Sequence, residues 1–209
     1  MFDSVLEETS QKNVKILSSL PFIQQFYLAG GSGCALHLGH RISQDLDFFS
    51  RKEFSHFEIQ ESLKNHGDFM ADYSDARTLA GRLNTTKISF FYYGYPLIRD
   101  LQIYRGLNLA SLEDIGCMKI DTISSRGKKR DFVDLYFILK YKDMSLKEYF
   151  SLFDAKYRSE NYNLYHVLKS LVYFEDAEKD PDLRMLVEFS WKDLKSFFRQ
   201  QVKNFDILR

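Results

Sequence analysis

Residues 28–49 read LAGGSGCALHLGHRISQDLDFF. The apolar stretch Phe26–Ala29 predicts a strand, and the glycines that follow predict a tight turn. Cys34–Leu38 predicts a short helix, and the apolar stretch around Leu46–Phe49 predicts a second strand. The short helix connects the two predicted strands and brings the chain back along the sheet. We therefore expect the turn and the start of the second strand to lie at the same end of one sheet.

Two aspartates open the second predicted strand. In a strand, residues two apart project on the same face, so Asp45 and Asp47 point together while Leu46 and Phe48 point into the core. Two close carboxylates raise each other's proton affinity unless a cation neutralises them, and their oxygens suit Mg²⁺ shared with substrate phosphates. An exposed pair at a strand end, without a ligand, is the alternative that this spacing leaves open.

The Gly-Gly-Ser turn precedes the predicted short helix. Gly30 and Gly31 let backbone amides approach a ligand closely, and Ser32 adds a hydroxyl where the helix dipole favours phosphate. The turn is not a Walker loop, since no Gly-Lys-Ser/Thr follows it. A purely structural strand-to-helix turn is the alternative, and the combination with the aspartate pair favours a ligand site.

Composition limits the function classes. The 209 residues are 44% hydrophobic, which is enough for a substantial core, and 29 basic residues balance 29 acidic ones. The chain therefore has no net positive charge that would attract polyanions, so any contact with nucleic acid requires a local basic patch. The two cysteines, Cys34 and Cys117, lie far apart in different predicted helices, and no apolar run reaches membrane-spanning length. We therefore expect a cytoplasmic protein outside the membrane.

Patterning divides the chain into two parts. A helix is predicted from Ser4 to Leu20, ended by Pro21, and another from Ser55 to about Asn65. Residues 69–95 predict two or three strands. Further helices are predicted to start at Ser111, Arg130, Ser145, Asn163 and Ser190. The fold class is therefore α+β, with a mixed sheet in residues 1–108, a helical part in residues 109–209, and the two parts packed as one unit.

A second group of regularly spaced charged and polar residues lies in residues 119–135, KIDTISSRGKKRDFVDL. On a helix, Lys119, Thr122 and Arg126 share one face, and Gly127 then ends that helix. The next helix carries acids at positions 131 and 134 in its first turn, where they suit the helix dipole. From spacing alone, helix capping with a local Arg130–Asp134 pair is the simpler interpretation.

The two segments together resemble the AbiEii/AbiGii toxin family over about residues 26–139. These are nucleotidyltransferase-like proteins, and many are toxins of bacterial toxin–antitoxin or phage-defence systems. The resemblance implies transfer of a nucleoside monophosphate from an NTP to an RNA acceptor such as tRNA, or to a protein acceptor. It also implies a cognate antitoxin as partner.

The resemblance assigns roles to individual residues. Asp45 and Asp47 would hold Mg²⁺ or Mn²⁺, Lys119 would bind the triphosphate together with the Gly30, Gly31 and Ser32 turn, and Asp131 would be a further catalytic residue. Four secondary candidates are Arg41, which could reach phosphate or pair with Asp45, and Arg126, Arg130 and Asp134. The run Lys128–Arg130 forms a basic patch suited to RNA phosphates, with a solvated loop as the alternative.

One departure from the family pattern concerns a third carboxylate, which nucleotidyltransferases of this fold commonly carry on a later strand. The best candidate strand here offers Ser89, and the nearest acid is Asp100. A non-catalytic binding protein that retains the fold, or a kinase-like phosphoryl transferase, therefore remains as an alternative. His37 and His40 are interpreted as structural or surface residues.

Overall fold

A mixed sheet forms the centre of the protein, seen in a computed structural model that describes residues 1–205. Its strands are β1 (Tyr27–Leu28), β2 (Leu46–Ser50), β3 (Phe69–Asp75), β4 (Thr78–Leu83), β5 (Thr86–Tyr92), β6 (Gln102–Tyr104) and β7 (Leu107–Leu109). They lie in the order β3-β4-β5-β2-β1-β7-β6. β2 is parallel to β5 and β1 is parallel to β7, while the other neighbours are antiparallel. The predicted α+β class with a mixed sheet is confirmed.

Helices flank the sheet and make up most of the chain after β7. Their bounds are α1 (Glu8–Ser18), α2 (Gly30–Leu38), α3 (His56–Lys64), α4 (Leu112–Arg126), α5 (Lys129–Lys142), α6 (Leu146–Lys156), α7 (Leu164–Ser170), α8 (Glu175–Glu178) and α9 (Trp191–Lys203). The predicted N-cap Ser55 accepts a backbone N–H with its side chain. The same contact is made at four of the predicted helix starts, Ser111, Ser145, Asn163 and Ser190. Gly127 ends α4 with a left-handed backbone.

Two clusters of buried hydrophobic side chains lie on opposite faces of the sheet. Leu28, Leu46 and Phe48 belong to the cluster beneath α1 and α3. Tyr27 and Ala29 belong to the cluster formed with α4 and the later helices. The alternation along β1 follows from the two-residue period of a strand, and it lets the sheet support two cores at once.

Three predictions differ from the structure. The first α-helix begins at Glu8, not Ser4, because Leu6 forms a bridge with Ser43 and draws the preceding residues out of the helix. The helix predicted from Arg130 begins one residue earlier, at Lys129. Strands β6 and β7 form a short hairpin where none was predicted.

The predicted division at residues 108/109 stays a prediction, and residues 206–209 of its helical part lie outside the described residues. Among residues 1–205, no helix combines the length and apolar character needed to cross a membrane.

Candidate active site

A cleft of about 270 Å³ opens over the face of β2 and β5 opposite the α1 side. β2 runs parallel to β5 with Asp47 opposite Ser89 and Phe49 opposite Phe91. Because alternate residues share a face, the aspartate end of this surface is polar and the other end is aromatic. The cleft is lined by Gly30, Gly31, Arg41, Ser43, Asp45, Asp47, Phe49, Lys87, Ser89, Phe91, Tyr93, Met118, Lys119, Asp121, Thr122, Arg126, Arg130 and Asp131.

The carboxylates of Asp45 and Asp47 both face this cleft, as their spacing predicts. Burial, and then the neighbouring charge of Asp45, raises the pKa of Asp47. A cation between the two carboxylates would relieve this penalty, and their oxygens are suitable ligands for Mg²⁺ or Mn²⁺. The arrangement therefore fits a divalent cation.

The glycine turn allows close approach of side chains from the other elements. Gly30 has a φ of +61°, and a Cβ at this position would lie 2.8 Å from Asp47 Oδ2. A Cβ on Gly31 would lie 2.5 Å from Arg41 Nη2. Both glycines are therefore required by the packing of the site itself, beside any role of their amides toward a ligand.

Ser32 lies behind the cleft wall, and this differs from the expectation that its hydroxyl faces phosphate. The side chain is buried and contacts the Ser43 hydroxyl at 2.9 Å and the backbone carbonyl of Asp45. Because the hydroxyl is engaged there, it fastens the loop that precedes β2. The structure thus gives Ser32 a positioning contact with the loop that carries Asp45.

A buried charge network closes the base of the site around Asp134. Arg41 donates from Nε and Nη2 to the two carboxylate oxygens at 2.7 and 2.8 Å, and His40 Nε2 lies 2.8 Å from Oδ1. Lys119 Nζ lies 2.6 Å from Oδ2. Burial alone would raise the pKa of Asp134, but Arg41 and Lys119 outweigh it and hold that pKa well below its usual range.

Lys119 is held between two carboxylates. Its Nζ also donates to Asp131 Oδ1 at 2.8 Å, and Arg126 donates to the other Asp131 oxygen at 3.1 Å. Burial disfavours the charged amine, yet Asp131 and Asp134 outweigh it and raise the pKa of Lys119. A charged lysine has three N–H donors, so with two engaged one is left for a ligand in the cleft that it lines.

Two of the sequence-based pairings are wrong. Arg130 does not pair locally with Asp134; its Nη1 donates to Asp45 Oδ2 at 3.2 Å, across 85 positions of sequence. Arg41 pairs with Asp134, not with Asp45. The reason is that the buried Asp134 faces α2 and the following loop, whereas Arg130 lies on the exposed side of α5 toward the cleft.

Sequence reasoning missed several residues of the cleft. Phe49, Phe91 and Tyr93 form its aromatic end, and their two-residue alternation with Asp47 and Ser89 is the signal that could have found them. Asp121 lies at the rim, where its side chain reaches solvent while surrounding protein still desolvates the carboxyl and raises its pKa. Asp100 is exposed and lies outside the set of cleft-lining residues.

A second cavity of about 540 Å³ adjoins the first and shares Arg41, Ser43, Asp45, Arg126 and Arg130 with it. The predicted basic patch, Lys128–Arg130, lies on its wall. Lys128 Nζ donates to Asp180 at 3.1 Å, and Lys129 Nζ lies 3.1 Å from Asp182. The positive charge of this patch is therefore partly balanced by acids of the chain itself.

The mixed sheet and its cleft place the protein among nucleotidyltransferase folds. The structure is similar to MenT4, a nucleotidyltransferase toxin from Mycobacterium tuberculosis H37Rv, with a TM-score of 0.59 and 14% identity, covering 95% of this chain and 83% of that one. JHP933 from Helicobacter pylori gives 0.56 at 17% identity, covering 95% and 92%. The antibiotic-resistance factor ANT(2'')-Ia gives 0.55 at 13% identity, covering 73% and 94%. At these identities the likeness shows the fold.

Residues 95–207 match the family model described as nucleotidyl transferase AbiEii toxin, type IV TA system. The uncharacterized protein aq_aa25 of Aquifex aeolicus (strain VF5) is 35% identical over 204 residues, which is 96% of this chain and 97% of that protein. The chain therefore belongs to the AbiEii nucleotidyl transferase toxin family, and its enzyme class is that of the nucleotidyltransferases.

The matched range begins at residue 95, so it includes the second segment of the resemblance seen in the sequence but not residues 28–49. That resemblance ends near Leu139, whereas the family match continues through the C-terminal helices. The family pattern is therefore carried by the helical part as well as by the segment around Lys119 and Asp131.

Proposed function

We propose that the protein transfers a nucleoside monophosphate from an NTP to an acceptor and releases pyrophosphate. The observation that carries this proposal is the Asp45–Asp47 pair, which faces a cleft that is also lined by cations, including Lys119, Arg126 and Arg130. A cleft with a carboxylate pair at one side and cations at another suits a metal-bound triphosphate.

Each side chain has a role in this proposal. Asp45 and Asp47 hold Mg²⁺ or Mn²⁺, which when bound neutralises charge on the phosphates. Lys119 donates its remaining N–H to the triphosphate, while Asp131 and Asp134 keep it charged and fixed. The aromatic side chains Phe49 and Phe91 provide an apolar surface for the nucleoside. Catalysis is then mainly positioning and charge neutralisation.

A direct test uses the purified chain with NTPs labelled at the α-phosphate, Mg²⁺ and total RNA. We expect labelled RNA or labelled protein with the wild type and none with Asp47→Ala. The matched control is Asp100→Ala, which removes an exposed aspartate away from the cleft and should leave labelling unchanged. Labelling that persists in Asp47→Ala would contradict the assignment of the site.

We propose RNA, with a tRNA end as the leading case, as the acceptor. The second cavity supports this, because it adjoins the carboxylate pair and carries Lys128 and Arg184 on its walls. Phosphate contacts of this kind are sensitive to salt. Binding of tRNA that weakens with salt, and weakens further in Lys128→Gln, is expected. Binding that is indifferent to both would favour a protein acceptor.

We propose a toxin role with a cognate antitoxin, which the family match supports. We expect that expression of the wild type halts bacterial growth and that expression of Asp47→Ala or Lys119→Ala at equal level does not. Co-expression of the protein encoded beside it would then restore growth. Harmless expression of the wild type would contradict the toxin proposal, while leaving nucleotide transfer to be judged by the labelling assay.

One observation favours a second candidate, a binding protein that retains the fold. Ser89 lies opposite Asp47 on β5, where a carboxylate would complete a three-acid site. Isothermal titration and the labelling assay together separate the candidates. Metal-dependent NTP binding without any transfer would support the binding protein, and transfer of label would exclude it.

A further inference from the structure

Arg130 is a cation that contacts the carboxylate pair. Its Nη1 donates to Asp45 Oδ2 at 3.2 Å, and the side chains of Arg130 and Asp45 are 44% and 30% exposed. Asp47 lies two positions along the chain from Asp45, and both carboxylates line the same cleft. A guanidinium on Asp45 therefore supplies part of the positive charge that this acidic pair requires.

Three of the other four cations that line the cleft pair with Asp131 or Asp134. Lys119 and Arg41 are buried, and each is fastened to oxygens of Asp134. Arg126 is exposed but donates to Asp131, away from the carboxylate pair. Within residues 1–205, Arg130 is thus the cation that both touches the pair and has solvent around its side chain.

The position of Arg130 also gives it room to move. It lies in the first turn of α5 and lines both cavities, so its guanidinium can leave Asp45 without crossing packed protein. An exposed ion pair is weak, so a divalent cation can displace it at little cost. Arginine binds phosphate oxygens through two parallel N–H groups, which gives the released side chain a strong new partner.

We propose that Arg130 occupies the cation position on Asp45 until the nucleotide arrives and then binds the triphosphate. This inference rests on the proposed nucleotidyl transfer. In this proposal Arg130 couples the binding of the divalent metal to the binding of the NTP. The metal alone must compete with the guanidinium for Asp45, whereas the metal that arrives with NTP does not, because the guanidinium then binds the triphosphate. The site thereby favours the metal–nucleotide complex over the free metal.

The test measures Mn²⁺ binding to the metal-free full chain by the electron paramagnetic resonance signal of free Mn²⁺. Arg130→Gln should bind Mn²⁺ about three- to fivefold more tightly than wild type, the size expected from an exposed ion pair. Arg130→Lys keeps the charge and should stay near wild type. Lys64→Gln removes an exposed charge that pairs with Glu61 outside both cavities, and it should also stay near wild type.

The second measurement is binding of a non-hydrolysable NTP analogue with Mn²⁺ by titration calorimetry. Arg130→Gln should bind the analogue about tenfold more weakly than wild type, since it lacks one charged phosphate contact. Opposite signs in the two measurements support the coupling. If the wild type binds both ligands and Arg130→Gln binds Mn²⁺ with unchanged or weaker affinity, the proposed coupling is overturned. A wild type that binds neither Mn²⁺ nor the analogue contradicts the proposed function as well.

Discussion

The carboxylates that line the cleft and the buried Asp134 beneath it differ in how their charge is compensated. Asp47 is half-buried next to a like charge, and desolvation followed by the charge of Asp45 raises its pKa. Asp131 and Asp134 are buried with lysine and arginine partners, which outweigh burial and lower their pKa values. The first kind of environment is unfavourable to the folded protein until a cation binds, whereas the second stabilises it. Cation binding is therefore assigned to Asp47, and stabilisation of the fold to Asp131 and Asp134.

This difference predicts a gain in stability for Asp47→Asn in the absence of metal. The folded pKa of Asp47 lies above the unfolded value, so the wild type loses stability as pH rises from the unfolded pKa through the folded one, and the penalty remains at higher pH. In EDTA at pH 8, the Asp47→Asn variant should melt at a higher temperature than wild type, with the difference vanishing near pH 3. Transfer should fall at least about a hundredfold. An equal or lower melting temperature at pH 8 would refute the pKa argument.

Asp134→Asn should have the opposite effect on stability. It leaves Arg41 and Lys119 buried without their shared partner, which costs about 3–5 kcal/mol in the free energy of unfolding. Glu61→Gln is the control, because Glu61 pairs with Lys64 on an exposed helix face, where the loss is about 0.5 kcal/mol or less. Urea unfolding at pH 7 measures both. Equal losses in the two variants would show that the network around Asp134 is not stabilising.

At the scale of elements, helix ends were the most predictable feature. Ser111 and Ser145 begin helices because their hydroxyls accept a backbone N–H, and Gly127 ends one because its backbone is left-handed. These signals are local, so they can be read from sequence. The β6–β7 hairpin was missed because strands of three residues carry too little periodicity. The start of α1 was misplaced because a tertiary bridge, Leu6 to Ser43, decides it.

The prediction at this scale concerns the first residue of α2, Gly30. Gly30→Ala forces a φ of +61° on a residue with a Cβ and brings that Cβ to 2.8 Å from Asp47 Oδ2. We expect a loss of about 1–2 kcal/mol in stability and, because the carboxylate must shift, about a hundredfold loss of transfer. Gly94→Ala is the control, since its Cβ would meet the end of the Tyr92 side chain at 3.1 Å. A Gly30→Ala variant with wild-type transfer would show that Asp47 tolerates displacement.

The whole molecule brings together residues that lie far apart in sequence. The Asp-x-Asp spacing indicated that Asp45 and Asp47 share a face, and helical spacing indicated the same for Lys119 and Arg126. That these two pairs meet in one cleft follows from the fold. Local rules could not give the pairings of Arg41 with Asp134 or Arg130 with Asp45, which span 93 and 85 positions. Such contacts depend on how α5 packs against α2 and the sheet.

The family and the fold define the class of enzyme, while the transferred group is the central proposal. It is tested most directly by incubating the wild type with one NTP labelled at the α-phosphate and, in parallel, with the same NTP labelled at the γ-phosphate. We predict that the α-label enters the acceptor and the γ-label leaves as pyrophosphate. Transfer of the γ-label, or of neither label, would contradict nucleotidyl transfer at this cleft.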